Sequence, residues 1–214
     1  MTLGSTLTKR LDASWAVGTN QGGLDTGSIA NATYFVWLIQ RPDTGVVDAL
    51  FSLSASAPTM PANYTKKALL GAIIRAGGTI LAFTQTGDYF GLTTPVLDIS
   101  VTNPGTASVT RTLASVPLGI IVEASLTVAS EGTASSASYA YVRPLTATDQ
   151  APASGAAPLY NVGSLTPNVH GSTSLTIATN ASAQIATRNA ASDAGSAIRI
   201  CTFGWWHRLG RRGC

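Results

Sequence analysis

The chain has 214 residues, 45% of them hydrophobic and only 11% charged, where an ordinary soluble domain carries about 25% charge. Its net charge of +3 is matched in full by Arg208, Arg211 and Arg212 in the last seven residues, "RLGRRGC", so the basicity belongs to one tail. No helix-turn-helix pattern, RNP-type motif or basic-aromatic stripe accompanies it, and a nucleic-acid partner is not expected. The longest apolar run, just before Gln40, is about six residues, against roughly 20 for a bilayer span, and "MTLGSTLTKR" has no signal-peptide core.

Period-two patterns recur along the chain. Between Leu7 and Val17 the odd positions are Leu7, Lys9, Leu11, Ala13, Trp15 and Val17, which predicts a strand with one apolar face and Lys9 as its single exception. "TNQGGLDTG" (19–27) reads as a glycine-rich loop without a phosphate-binding spacing. Next comes the densest apolar stretch, "TYFVWLIQRPDTGVVDALFSLSA" (33–55). Pro42-Asp43-Thr44-Gly45 is turn chemistry, so the stretch reads as a hairpin. Apolar residues occupy both parities from Tyr34 to Ile39, so both faces of the first strand are expected to be covered: one by the core and the other by a second layer or another subunit, or else the strand is simply a central one in a sandwich.

"SASAPTMPANYTKK" reads as a loop, and "ALLGAIIRAGGTILAFTQ" as a second hairpin turning at Ala76-Gly77-Gly78. "TGDYFG" and "TNPGTAS" are turns flanking a strand that contains Val96 to Val101. Ile120, Val122, Ala124, Leu126 and Val128 alternate with more polar neighbours, predicting a strand, and a short strand is expected from Tyr139 to Arg143. "PLTATDQAPASGAAPLY" reads as an exposed connection. "SLTIATNASAQIATR" is a further hairpin, and "AIRICTFGWW" a final strand whose Trp205 and Trp206 point to opposite faces. The alanine-rich 187–197 segment carries Asn189, Ser192, Asp193 and Gly195, which favour turns over helix. Many short strands with a turn about every ten residues argue for an all-β fold, an antiparallel sandwich or jelly roll. Two β subdomains are expected: a hairpin-rich one over 1–92 and a sandwich over 93–214 ending in the basic tail.

The motifs "LTKRLDASWAVGTNQGGLDTGSIAN", "VWLIQRPDTGVVDALFSLSASAPTMPANYTKK", "AFTQTGDYF" and "TNPGTASVTRTL" resemble a module of tailed-bacteriophage virion proteins, found in tail fibres and related fibre or spike proteins. The resemblance runs from about Leu7 to the final "GWWHRLGRRG". Members of the module tend to follow the paired lysines with a more basic segment, where this chain has Ala68-Leu69-Leu70. They also tend to carry an acidic residue soon after the last Gly-Trp, where this chain has Trp206-His207. The resemblance implies a phage structural protein made in the host cytoplasm and carried on the virion.

The residues offer little chemistry. There is no G-x-S-x-G elbow or H-E-x-x-H helix, the only histidines are His170 and His207, and the only cysteines are Cys201 and Cys214, without zinc spacing. Neither a cofactor nor a metal is expected. The sequons at Asn31, Asn63 and Asn180 are read as chance. A non-enzymatic virion component, fibre- or spike-like and homo-oligomeric, with a trimer expected, is the leading expectation. A capsid decoration or neck protein is the alternative, since no heptad or collagen-like repeat supplies a shaft. A polysaccharide depolymerase is the third reading, and it needs two carboxylates about 5–10 Å apart. The candidate interface residues are Phe35, Trp37, Trp205, Trp206, Arg208, Arg211 and Arg212, facing other virion proteins or further copies. Gly22, Gly23, Asp25, Asp149 and Gln150 are the candidate receptor-loop residues, facing a host-surface glycan. Cys214 is a candidate intersubunit thiol.

Overall fold

The computed structural model describes residues 1–132, 140–152 and 170–208, and of His170 the backbone alone. Every regular element among them is a β-strand, as the alternating sequence predicts. The chain divides into two compact units, one built on Met1–Leu81 and the other on Ala82–His207.

The first unit is a six-stranded mixed sheet in the order β1-β2-β4-β3-β5-β6. Its strands are β1 (Lys9–Ser14), β2 (Gln21–Leu24), β3 (Thr33–Gln40), β4 (Val47–Ser52), β5 (Lys66–Ala76) and β6 (Thr79–Ile80). The expected hairpin is β3–β4, paired from Phe35↔Ser52 to Gln40↔Val47. Its turn is closed by the Arg41 and Gly45 amides, with Gly45 at φ 73°. The second hairpin turns at Gly77 and Gly78, both at positive φ, as a tight two-residue connection demands. Its return arm, β6, is only two residues long.

The 19–27 segment corrects the loop reading. Gln21–Leu24 is a strand that pairs in parallel with both β1 and β4. The two glycines permit this close approach. A Cβ on Gly22 would stand 2.0 Å from the Ser14 carbonyl oxygen, and one on Gly23 would stand 2.7 Å from the Phe51 ring. Parallel pairing of such short strands leaves little alternation to read, so the sequence pattern could not show it.

The second unit is an antiparallel sandwich. One sheet runs β12-β10-β14-β8-β7 and the other β11-β13-β9. The strands are β7 (Phe83–Thr86), β8 (Tyr89–Thr102), β9 (Val109–Thr112), β10 (Glu123–Glu131), β11 (Ala140–Arg143), β12 (His170–Ala178), β13 (Gln184–Asn189) and β14 (Ala197–Trp206). β8 runs unbroken through residue 92. In β10, Ala124, Leu126, Val128 and Ser130 are buried and the residues between them are half-buried. The register puts Ile198 and Ile200 of β14 on the same inner face. A buried hydrogen bond from Asn189 of β13 to Ser130 of β10 joins the two sheets. Burying each large aliphatic or aromatic side chain in such a core contributes about 1.5–3 kcal/mol. Arg111 stands on the edge strand β9 opposite Ile185 and donates to the Thr187 hydroxyl. Burial pulls its pKa down. A charge turned inward at a sheet edge blocks further strand pairing.

The 190–196 segment is turned, not helical: the Asp193 carboxylate accepts the Gly195 and Ser196 amides. Asn180, one of the sequon residues, is an internal turn organiser whose Oδ1 accepts from the Ser182 and Gln184 amides.

Candidate interaction surfaces

Phe35 and Trp37, candidate interface residues from the sequence, are instead shielded within the chain itself, at 2% and 6% exposure. Through the β3–β4 register they share a face with Ile39, Asp48 and Leu50. The Trp37 indole N–H donates to the Ser54 carbonyl, and Lys67 lies 5.2 Å above its ring while donating to the Ser56 carbonyl. The 53–65 loop therefore lies over Trp37, and β3 is a central strand flanked by β4 and β5. Asp25 helps hold this loop, since its Oδ2 accepts the Thr59 amide.

Trp205 and Trp206 point to opposite faces, as alternation requires. Trp205 is 1% exposed and stacks on Phe90 at 5.5 Å with an interplanar angle of 4°. Trp206 is 41% exposed and packs on Tyr89 at 4.8 Å. Along the outer face of the five-stranded sheet, Cys201 stands opposite Leu97 and Thr127, while Ser125 stands opposite Gly204 and Thr176. The Thr127 and Ser174 hydroxyls bond to each other across two strands. Leu97 is 51% exposed, and Phe203, at a bulge on the same strand as Cys201, is 40% exposed. Among the described residues, charge on this face is confined to its two ends: Glu123 beside Trp206, and the Arg199–Glu131 ion pair. Arg208 is exposed. Arg211, Arg212 and Cys214 lie outside the described residues, and Cys201 is a half-buried free thiol.

Of the candidate receptor-loop residues, Gly22 and Gly23 are buried strand positions. Asp149 and Gln150 are exposed, but Asp149 is held from two sides, by Arg188 at 2.7 Å and Arg143 at 3.5 Å. Arg143 also donates to the Ala147 carbonyl, so 143–149 folds back on itself. This pin is partly exposed, and Asp149→Asn is expected to cost about 1 kcal/mol while speeding proteolytic cleavage in the 144–152 segment. An unchanged cleavage rate would show that the pin does not order the loop.

A cleft of about 550 Å³ in the first unit is lined by Arg10, Leu11 and Asp12 of β1, by Ile29 and Arg75, and by Gly78, Thr79 and Ile80 at β6. β1 and β6 are the two ends of the strand order, so curling of the sheet brings its opposite edges to one opening. Arg10 grips Asp12 through two hydrogen bonds of 3.0 and 3.1 Å. The hydrogen bond from Arg10 holds the Asp12 carboxyl below its usual range. No periodicity could reveal this cleft, because Arg10 and Thr79 are brought together only by the curl. Among the described residues no group of three or more His, Cys, Asp or Glu side chains is arranged to hold a metal ion.

These features define an all-β protein with an aromatic sheet face charged only at its ends and, in the first unit, a cleft lined by apolar and charged side chains. No family model, no curated protein and no solved structure matches the chain.

Proposed function

We propose that this chain is a non-enzymatic bacteriophage virion protein, fibre- or spike-like, that assembles with further copies of itself and takes part in host-surface attachment. The observation that carries this reading is the outer face of the five-stranded sheet, where Leu97, Phe203 and Trp206 stand exposed among hydroxyl-bearing residues and charge is kept to the ends. Interfaces are depleted in charge at their centres and enriched in aromatic residues, and exposed tryptophans are frequent energetic anchors. The sequence resemblance to phage fibre modules supports the virion setting. The lack of a shaft-forming repeat favours a second placement, as a decoration or neck protein that cements other subunits.

Light scattering on the purified chain is expected to give a mass that is a multiple of the 21.9 kDa protomer, with a trimer favoured. Leu97→Ser combined with Trp206→Ser is expected to shift the population towards monomer without loss of β-sheet signal. A protomer that remains single at micromolar concentration, together with absence from purified particles, would overturn the proposal. Labelling the protein on intact particles separates the fibre from the decoration or neck placement.

A further inference from the structure

We infer that the cleft between β1 and β6 is a binding site for a carboxylate-bearing sugar, such as a uronic acid unit at the end of a surface polysaccharide. This rests on the host-attachment reading and gives it a site and a ligand class. The volume of about 550 Å³ falls in the range of about 300–1,000 Å³ typical of small-ligand sites.

The charge balance points to an anion. Arg10 is matched by Asp12. Arg75 has no carboxylate within ion-pair distance among the described residues, and its Nη1 donates instead to the neutral Asn31 Oδ1 at 2.8 Å. The lining therefore carries one more positive than negative charge. A guanidinium presents five N–H donors in a fixed fork suited to a carboxylate, and this bond occupies only part of that fork.

Arg75 is also held in place before any ligand arrives. The same Asn31 oxygen accepts the Gly78 amide at 3.0 Å, so one side chain fixes both the guanidinium and the β5–β6 turn. Fixing a binding group in advance lowers the ordering cost of association.

The remaining lining fits the rest of a sugar acid. Asp12 stays ionised and accepts hydroxyl groups, and Thr79 adds a hydroxyl of its own. Ile29 and Ile80, the latter 44% exposed, offer apolar contact to the C–H face of a pyranose ring. An inorganic anion would use Arg75 and leave the apolar wall without a partner. A neutral sugar would leave the surplus cation unmatched.

The test is titration of the full chain with a trigalacturonate oligosaccharide, followed by calorimetry or ligand-observed NMR. Its carboxyl-reduced neutral counterpart and a short oligoglutamate peptide serve as comparison probes. Binding of trigalacturonate that weakens at least tenfold in Arg75→Gln, is absent for the neutral counterpart and falls with added salt is the expected result. Asn31→Ala, which keeps the cation and frees it, is expected to weaken binding several-fold, and a cooperative urea transition retained in each variant shows that the fold is intact. No binding of trigalacturonate, equal binding of the neutral sugar, insensitivity to Arg75→Gln in a folded variant, or equal binding of oligoglutamate would each overturn the assignment. The result is independent of particle labelling. A protein found on particles that does not bind sinks this inference alone, and a protein that binds but stays monomeric and is absent from particles sinks the virion reading alone.

Discussion

Asp48→Asn is expected to destabilise the protein by about 3 kcal/mol or more, because it strands a buried ammonium. Lys9, the one charged residue on the apolar face of β1, has a side chain only 2% exposed and lies 3.1 Å from Asp48, whose side chain is 1% exposed. The ammonium also donates to the carbonyls of Ala16 and Gly18 at 2.6 and 3.2 Å, and it lies 5.3 Å from the centre of the Trp15 ring. Asp48 in turn accepts the amides of Gly18 and Ala49 at 2.9 and 2.6 Å. One buried pair therefore ties β1, the turn after it and β4 together.

Removing one partner of such a pair costs about 3–5 kcal/mol, whereas removing both charges together is often close to neutral. Lys9→Met alone is expected to cost a similar amount. The double variant Lys9→Met with Asp48→Asn should cost much less than the two singles added, since Asn keeps an acceptor for the Gly18 amide. Urea midpoints of the four proteins close this cycle. Additive losses would show that the pair is not coupled.

Gly204→Ala is expected to be comparably damaging, by about 3 kcal/mol or more, for a steric reason. Gly204 stands opposite Gly91 immediately after the second of two irregularities in the β14–β8 pairing. A Cβ there would lie 2.2 Å from the Phe90 carbonyl oxygen and 2.9 Å from the Gly91 Cα, both backbone atoms that cannot swing aside. The Tyr89 ring already covers Gly91, with its Cε1 3.0 Å from where a Cβ would be. The substitution has to push apart the two strands that carry Phe90 and Trp205 into the core. Gly105→Ala is the control. Gly105 has a positive φ of 77° and nothing within 4 Å of its added Cβ, so its cost is limited to backbone strain of about 1–2 kcal/mol. Equal thermal midpoints for the two variants would contradict the clash.

Side-chain alternation and turn chemistry determined much of this protein in the sequence alone. Alternation in β10 marked Ala124, Leu126 and Val128 as core because a half-buried strand must repeat every two residues. Pro42 to Gly45 and Gly77-Gly78 placed two turns because only certain residues accept the required φ, and the adjacent Trp205 and Trp206 had to diverge in a strand. What the sequence could not contain is what lies across from each residue. The apolar faces of Phe35 and Trp37 invited a partner, and only the folded chain showed both buried, with the 53–65 loop over Trp37. Lys9 looked like an error in the pattern until β4 brought Asp48 to it, 39 positions away. Gly22 and Gly23 looked like a loop because parallel strand contact depends on neighbours that local composition does not encode. The β1–β6 cleft exists only because the sheet curls. Local periodicity reports which side of a strand is buried, and tertiary structure alone decides what buries it.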